Sequence, residues 1–167
     1  MPFTPFHWGI SLFIQALLIF LDPIALFIGS VIPDIEGITA LFILPGIGLP
    51  LHGPLHSFTG AFFLALLTGI SSWFCFRYVF PYLIEKLQLN LPFSLPKYSL
   101  RCSILSAGLG TFSHIILDAP LYSEMDLLLP LGIGNPLYDI VPGTLVYSLC
   151  VFGFIIGSII LIIRLKV

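Results

Sequence analysis

Charge is what this sequence of 167 residues has least of. Only 8% of its residues are Asp, Glu, Lys or Arg, whereas 58% are hydrophobic, and soluble domains carry roughly 25% charged residues. Lipid is the expected solvent, because this small number of charges could not cover a water-exposed surface. The net charge of −2 argues against a nucleic-acid partner. Linkers, low-complexity runs and internal repeats are also missing, so residues 1–167 should form a single transmembrane domain.

Cysteine is scarce as well. The three cysteines, Cys75, Cys102 and Cys150, are odd in number, widely spaced and set in apolar runs. This distribution favours small core residues over a disulfide framework.

Proline is abundant and marks where helices begin. Thr4-Pro5 and Asp22-Pro23 predict helices over about 5–20 and 23–33. These reach only roughly 24 Å and 16 Å at 1.5 Å per residue, and a membrane span needs about 20 residues. The two helices therefore form either one span broken at Asp22-Pro23 or a hairpin that enters the membrane and returns.

The rest of the chain predicts three full spans, over 55–80, 99–118 and 140–163, bounded by Pro54, Pro81 and Pro120. Residues 38–51 are apolar but contain two prolines and two glycines, which indicates an interfacial or re-entrant segment. Residues 81–98 and 119–138 are predicted connections. The expected fold is all-α: a polytopic membrane bundle with three full spans and a short N-terminal helical hairpin.

The charges suggest an orientation. With a hairpin followed by three spans, every Lys and Arg lies on one side, together with Asp22 and Glu85. Cytoplasmic loops are enriched in Lys and Arg, so the other face should be extracytoplasmic. All four histidines fall on that face, whereas the broken-span alternative would put His7 across the bilayer from Asp34. The remaining acids also fall there: Asp34, Glu36, Asp118, Glu124, Asp126 and Asp139.

The histidines and several acids occur in four short motifs that predict a metal site. The i, i+4 spacing places His114 and Asp118 on one helix face. Imidazole and carboxylate are ligands that zinc, manganese and iron accept, and ionisable groups near a bilayer are costly enough to suggest function. The set exceeds one tetrahedral shell, which makes two or more ions plausible. The predicted metal ligands are His7, Asp34, His52, His56, His114 and Asp118, and the predicted proton acceptors are Glu36 and Asp126.

Each motif alone has a simpler explanation. A single interfacial histidine can contact headgroups, Asp34 can end a helix, and Glu36 can be solvated. Glu124, Asp126 and Asp139 lie in or beside a loop, where solvation is the simpler expectation.

Four segments resemble a known family. MPFTPFHWG, GSVIPDIEG, HGPLHSFTG and GTFSHIILDAPLY are similar, in order, to the motifs of the YdjM-like membrane-bound metal-dependent hydrolases. More distantly they are similar to zinc-dependent phospholipase C, which implies phosphoester hydrolysis with zinc. The resemblance assigns metal binding to the same six residues. Glu36 stands where many relatives have Asp, and Gly53 stands where the family often has Arg.

Three functions follow from these patterns. The first is a membrane-embedded hydrolase of the cell membrane, acting on a phosphoester or lipid-like substrate at the extracytoplasmic face. The second is a non-catalytic metal-binding or transport protein, although transport lacks a visible charged pathway through the spans. The third is a structural subunit, which would leave the histidines and acids unexplained.

Overall fold

The computed structural model describes residues 4–44, 46–89 and 95–166, and all the regular secondary structure in them is helical. Three helices are long and apolar enough to cross a membrane: Phe58–Lys86, Leu100–Asp118 and Gly143–Arg164. The segments Pro23–Gly29 and Ile32–Ile43 meet the same criterion together, as a pair bent by 41°, so a fourth crossing or a re-entrant segment is compatible with the chain. The helices are α1 (His7–Leu17), α2 (Pro23–Gly29), α3 (Ile35–Ile38), α4 (Phe58–Lys86), α5 (Leu100–Asp118) and α6 (Gly143–Lys166).

Both N-terminal helices are shorter than the sequence predicts. Thr4–Phe6 form a separate 3₁₀ turn before α1, and α2 ends at Gly29, four residues early. A second 3₁₀ turn, Ile32–Asp34, follows, since Pro33 has no N–H with which to continue an α-helix. The indole N–H of Trp8 donates to the carbonyl of Phe27 at 3.3 Å. The start of α1 therefore lies beside the end of α2.

The expected end of the first long span at Pro81 is wrong. The helix continues through a π-helical turn over Cys75–Val79 and then through Phe80–Lys86. The wider π-helical turn accommodates Pro81, because proline has no N–H to donate to the preceding turn and its ring would collide with that turn in a regular α-helix. The predicted connection over 81–98 therefore begins as helix.

Small residues hold the bundle together. A Cβ atom on Gly9 in α1 would collide with the carbonyl oxygen of Cys150 in α6, and one on Gly110 in α5 would collide with the carbonyl oxygen of Leu26 in α2. Glycine at these crossings lets the backbones touch, which is how helices associate where lipid removes the hydrophobic drive. α1 thereby rests on α6, and α2 rests on α5.

A buried acid fixes the turn between α1 and α2. Asp22 is fully buried and caps α2, because its Oδ1 accepts the N–H of Ala25 at 3.1 Å. Its Oδ2 accepts the hydroxyls of Ser72 in α4 and Ser103 in α5, both at 2.7 Å. Its own N–H donates to the hydroxyl of Ser106 at 2.9 Å. This polar cluster joins the start of α2 to two of the long helices.

Replacing Asp22 by alanine should therefore destabilise the bundle. The hydroxyls of Ser72 and Ser103 would lose their acceptor in an apolar interior, and α2 would lose its cap. We expect Asp22→Ala to cost about 2–4 kcal/mol, measured by thermal or denaturant unfolding in detergent. Glu85→Ala removes an exposed acid of the same helix bundle and should change the stability little. Equal stability of the two variants would contradict this role for Asp22.

Candidate metal centre

Four of the predicted ligands lie together in the interior. Asp34, His56, His114 and Asp118 each offer one ligand atom, and these atoms all lie within 4.8 Å of one another. All four residues are buried. Asp34 and His56 each end a 3₁₀ turn, whereas His114 and Asp118 come from the last two turns of α5. The group could hold a metal ion.

His114 is oriented by a backbone carbonyl. Its Nδ1 lies 2.8 Å from the carbonyl oxygen of Ser30, which can only accept, so Nδ1 carries the proton. The unprotonated Nε2 then faces the carboxylates of Asp118, at 3.3 Å, and Asp34, at 3.6 Å. Metal-ligating histidines characteristically donate their other ring N–H in this way.

His56 is oriented in the same manner by a carboxylate. Its Nδ1 lies 2.8 Å from Oε2 of Glu36. Glu36 also accepts the backbone N–H groups of Gly53, at 3.0 Å, and Leu55, at 2.9 Å. Three donors therefore occupy the Glu36 carboxylate, and it holds both the His56 ring and the turn that carries this ring.

The result is that two imidazole nitrogens face each other. Nε2 of His56 lies 3.4 Å from Nε2 of His114, and when both rings are neutral neither Nε2 carries a proton, because the proton of each ring is on Nδ1. Burial lowers the pKa of His56, but the carboxylates of Asp34 and Glu36 outweigh it and raise the pKa to about 9. A cation is therefore required between these groups, and it is either a proton or a metal. Two nitrogens and two carboxylates form a donor set that suits zinc.

His7 lies against the other side of Asp118. Its ring stacks on His114 with centroids 4.0 Å apart, and its Nε2 is 3.3 Å from Oδ1 of Asp118. Both ring nitrogens of His7 and Oδ1 of Asp118 are buried without a hydrogen bond in the described part of the chain. Such orphaned polar atoms are costly in an apolar interior, so this side of Asp118 also has capacity for a ligand.

His52 adjoins the group without belonging to it. Its ring lies 4.8 Å from that of His56 and stacks on Tyr122 at 3.8 Å. Its Nδ1 is 2.9 Å from Oε1 of Glu124, an acid that was expected to be solvated and that is about half exposed. Burial lowers the pKa of His52, which favours a neutral ring.

Asp126 contacts the backbone of its own loop and is not one of the four clustered ligands. Its Oδ1 accepts the N–H of Gly134 at 3.2 Å. Both residues lie in the connection that contacts the start of α4 and the end of α5. The amide of Asn135 ties the same loop down by donating to the carbonyls of Ala119 and Tyr122, both at 2.7 Å. These contacts give Asp126 a structural role in the loop.

Sequence reasoning missed three partners of the histidines. The Ser30 carbonyl is a backbone group, so its residue type carries no signal. Glu124 and Tyr122 reach His52 from a loop about 70 residues later, and only their closeness to the His114–Asp118 pair along the chain could have suggested them.

Comparisons with protein families, with curated proteins and with solved structures found no match for the chain. The metal centre therefore rests on its own geometry, and the resemblance to the YdjM-like hydrolases stays a prediction.

Glu36 should matter for metal affinity although it is oriented away from the facing nitrogens. Glu36→Gln keeps the size of the side chain but removes the charge that orients His56. Removing such a partner typically costs about 10–100-fold in metal affinity. We expect a loss of this size in zinc binding, measured by competition with a chromophoric chelator. Unchanged affinity in Glu36→Gln, matching that of the distant control Glu85→Gln, would contradict the orienting role.

Proposed function

We propose that the protein is an integral membrane, metal-dependent hydrolase that acts on a phosphoester or lipid-like substrate. The supporting observation is the pair of inward-facing Nε2 atoms of His56 and His114, each fixed by a donor bond from Nδ1. Two carboxylates complete the set. A purely structural role for the centre would leave Oδ1 of Asp118 and both ring nitrogens of the adjacent His7 without a hydrogen bond in the described part of the chain.

A divalent cation held by this set, most simply zinc with manganese or iron as alternatives, would supply Lewis-acid polarisation of an ester or phosphoester and would acidify a water molecule. The chain's own part is to position the ligands. Asp34 retains the most exposed side chain of the four, at 9%, so substrate approaches on its side. Because three donors occupy Glu36, we assign it to orienting His56 rather than to proton transfer.

The proposal includes a second ion. His7 and Oδ1 of Asp118 lack hydrogen bonds and lie 3.3 Å apart, while Oδ2 of Asp118 is turned towards His114. One oxygen of the Asp118 carboxylate therefore faces His7, and the other faces His114. His52, next to His56, extends the row of imidazoles. Two or more ions per chain would account for all six predicted ligands.

The membrane arrangement is also part of the proposal. In this proposal α1 and α2 form a hairpin that enters the membrane and returns. It is supported by their lengths, since each is too short to cross, and by the contact of the start of α1 with the end of α2. The three long helices cross fully. The basic residues then face the cytoplasm, and the metal centre lies at the extracytoplasmic face. In this proposal the chain shares its order of segments and its four motifs with the YdjM-like family.

The alternative is a non-catalytic metal-binding or transport protein. Transport requires a polar path from one face to the other. The buried acid deeper in the bundle, Asp22, is committed to Ser72, Ser103 and the α2 backbone, which disfavours a path through it. A static metal-binding role keeps the same ligands, and only the test of hydrolysis separates it from the enzyme.

Asp118→Asn tests this function, because it keeps the size of the side chain and removes the charge shared by both sides of the centre. We expect wild-type protein purified in detergent to hold two zinc ions per chain, by elemental analysis, and to hydrolyse a phosphodiester or phospholipid. Asp118→Asn should lose most of the metal and all activity, while its helical circular dichroism is retained.

The matched control is Asp126→Asn, which makes the same change in the loop and should keep its metal. Full metal content in Asp118→Asn would contradict the centre. A metal-loaded wild type that cleaves no ester or phosphoester across a broad lipid screen would favour the non-catalytic alternative.

A further inference from the structure

A small pocket with two basic residues in its lining lies at the end of the bundle remote from the metal centre. It has a volume of about 110 Å³ and is formed where the π-helical turn of α4 meets the segment before α5. Arg77 lines it from α4, and Lys97 and Tyr98 line it from the connection. Phe76 and Pro81 supply apolar walls, and the Phe76 ring packs edge-on against Tyr98 at 5.6 Å.

The basic groups of this pocket make no ion pair with the part of the chain that the structure describes. Every ion pair in the described part of the chain involves a histidine, so no carboxylate there neutralises Arg77 or Lys97. Lys86, by contrast, lies over the Tyr82 ring at 5.5 Å. Both basic residues line one small cavity and are exposed, so their charges are available to an anion. The pocket is therefore complementary to a negative group.

The depth of the pocket matches the level of lipid headgroups. Arg77 is 19 residues after Phe58, the first residue of α4, which corresponds to about 28 Å along the helix axis. The hydrocarbon core of a bilayer is about 30 Å thick. With Phe58 near one interface, Arg77 reaches the other interface, and Lys97 lies just before α5 enters the membrane there.

We propose that this pocket binds the phosphate group of an anionic phospholipid in the leaflet opposite the metal centre. The Arg77 guanidinium can bind two phosphate oxygens at once, Lys97 adds a point charge, and the Tyr98 hydroxyl can donate. The volume is below the roughly 300 Å³ of a typical small-molecule site, so it suits one phosphate group rather than a whole soluble ligand. Basic pockets beside membrane helices bind anionic headgroups in this way.

This assignment is independent of hydrolysis at the metal centre. The pocket would act as a lipid anchor that fixes the connection between α4 and α5 on the cytoplasmic side, if the basic face has the orientation proposed above. A soluble phosphate has the same chemistry, but it would have to reach a pocket at headgroup depth, where lipid phosphates are already concentrated.

The test uses the full-length protein in a zwitterionic detergent and counts bound lipids by native mass spectrometry. Phosphatidylglycerol is titrated against phosphatidylcholine, with inorganic phosphate as a separate competitor. The double variant Arg77→Gln, Lys97→Gln removes the pocket charges. The control, Lys86→Gln, Arg101→Gln, removes two charges at the same end of the bundle and outside the residues that line the pocket.

We expect the wild type to prefer phosphatidylglycerol, and the pocket variant to bind it about tenfold or more weakly, while the control keeps most of the affinity. Equal losses in the two double variants would overturn the proposal, since they would show general attraction to a basic face. Full displacement of the lipid by millimolar inorganic phosphate would overturn the lipid as the occupant.

A second measurement covers the case in which the pocket variant does not fold. Wild-type protein is cross-linked with a phosphatidylglycerol that carries a photoreactive group at its headgroup, and the adducts are located by digestion. Adducts concentrated at residues 76–81 and 95–98 are expected. Adducts spread over basic residues outside the pocket, such as Lys86, Arg101 and Arg164, would contradict a specific pocket.

Discussion

Two imidazole nitrogens facing each other across 3.4 Å are the constraint around which the interior is arranged. His56 and His114 can keep this geometry because each Nδ1 is already committed as a donor, to Glu36 in one case and to the Ser30 carbonyl in the other. Rotating the His114 ring would leave the buried Ser30 carbonyl without this donor, at a cost of about 1–3 kcal/mol. A cation between the facing nitrogens would satisfy both rings, and with the neighbouring carboxylates of Asp34 and Asp118 they form a group that could hold a metal ion.

The packing of the helices positions the groups that orient these histidines. α2 can lie directly on α5 because Gly110 has no Cβ to collide with the backbone at Leu26, and this contact brings the Ser30 carbonyl within reach of His114. At the other end of α2, Asp22 ties the chain to α4 and α5 through buried hydroxyls. The short helix is thus fixed at both ends, and Asp34 follows it at a defined position.

Much of the site was predictable because its ligands lie in regular elements. The i, i+4 pair His114 and Asp118 follows from helix geometry alone, and proline places His56 at the start of a long helix. The partner of each histidine was not predictable, since the choice between Nδ1 and Nε2 depends on which group lies behind the ring in three dimensions. Glu36 therefore read as a proton acceptor, although its contacts orient His56.

The long helices were also predictable only in part. Hydrophobic length located the three long helices, but Pro81 did not end the first of them, because a π-helical turn absorbed its missing hydrogen bond. A local proline signal could not reveal this adjustment. Glu124 was also hidden, because only the folded loop brings it to His52.

The most direct test of the metal centre is X-ray absorption spectroscopy of the zinc-loaded protein. The account predicts a first shell of only nitrogen and oxygen at about 2.0–2.1 Å, with multiple scattering from at least two imidazole rings. A sulfur shell at about 2.3 Å would mean that the cysteines bind the zinc, and a spectrum without imidazole scattering would mean that His56 and His114 do not. Either result would contradict the assignment of the centre to Asp34, His56, His114 and Asp118.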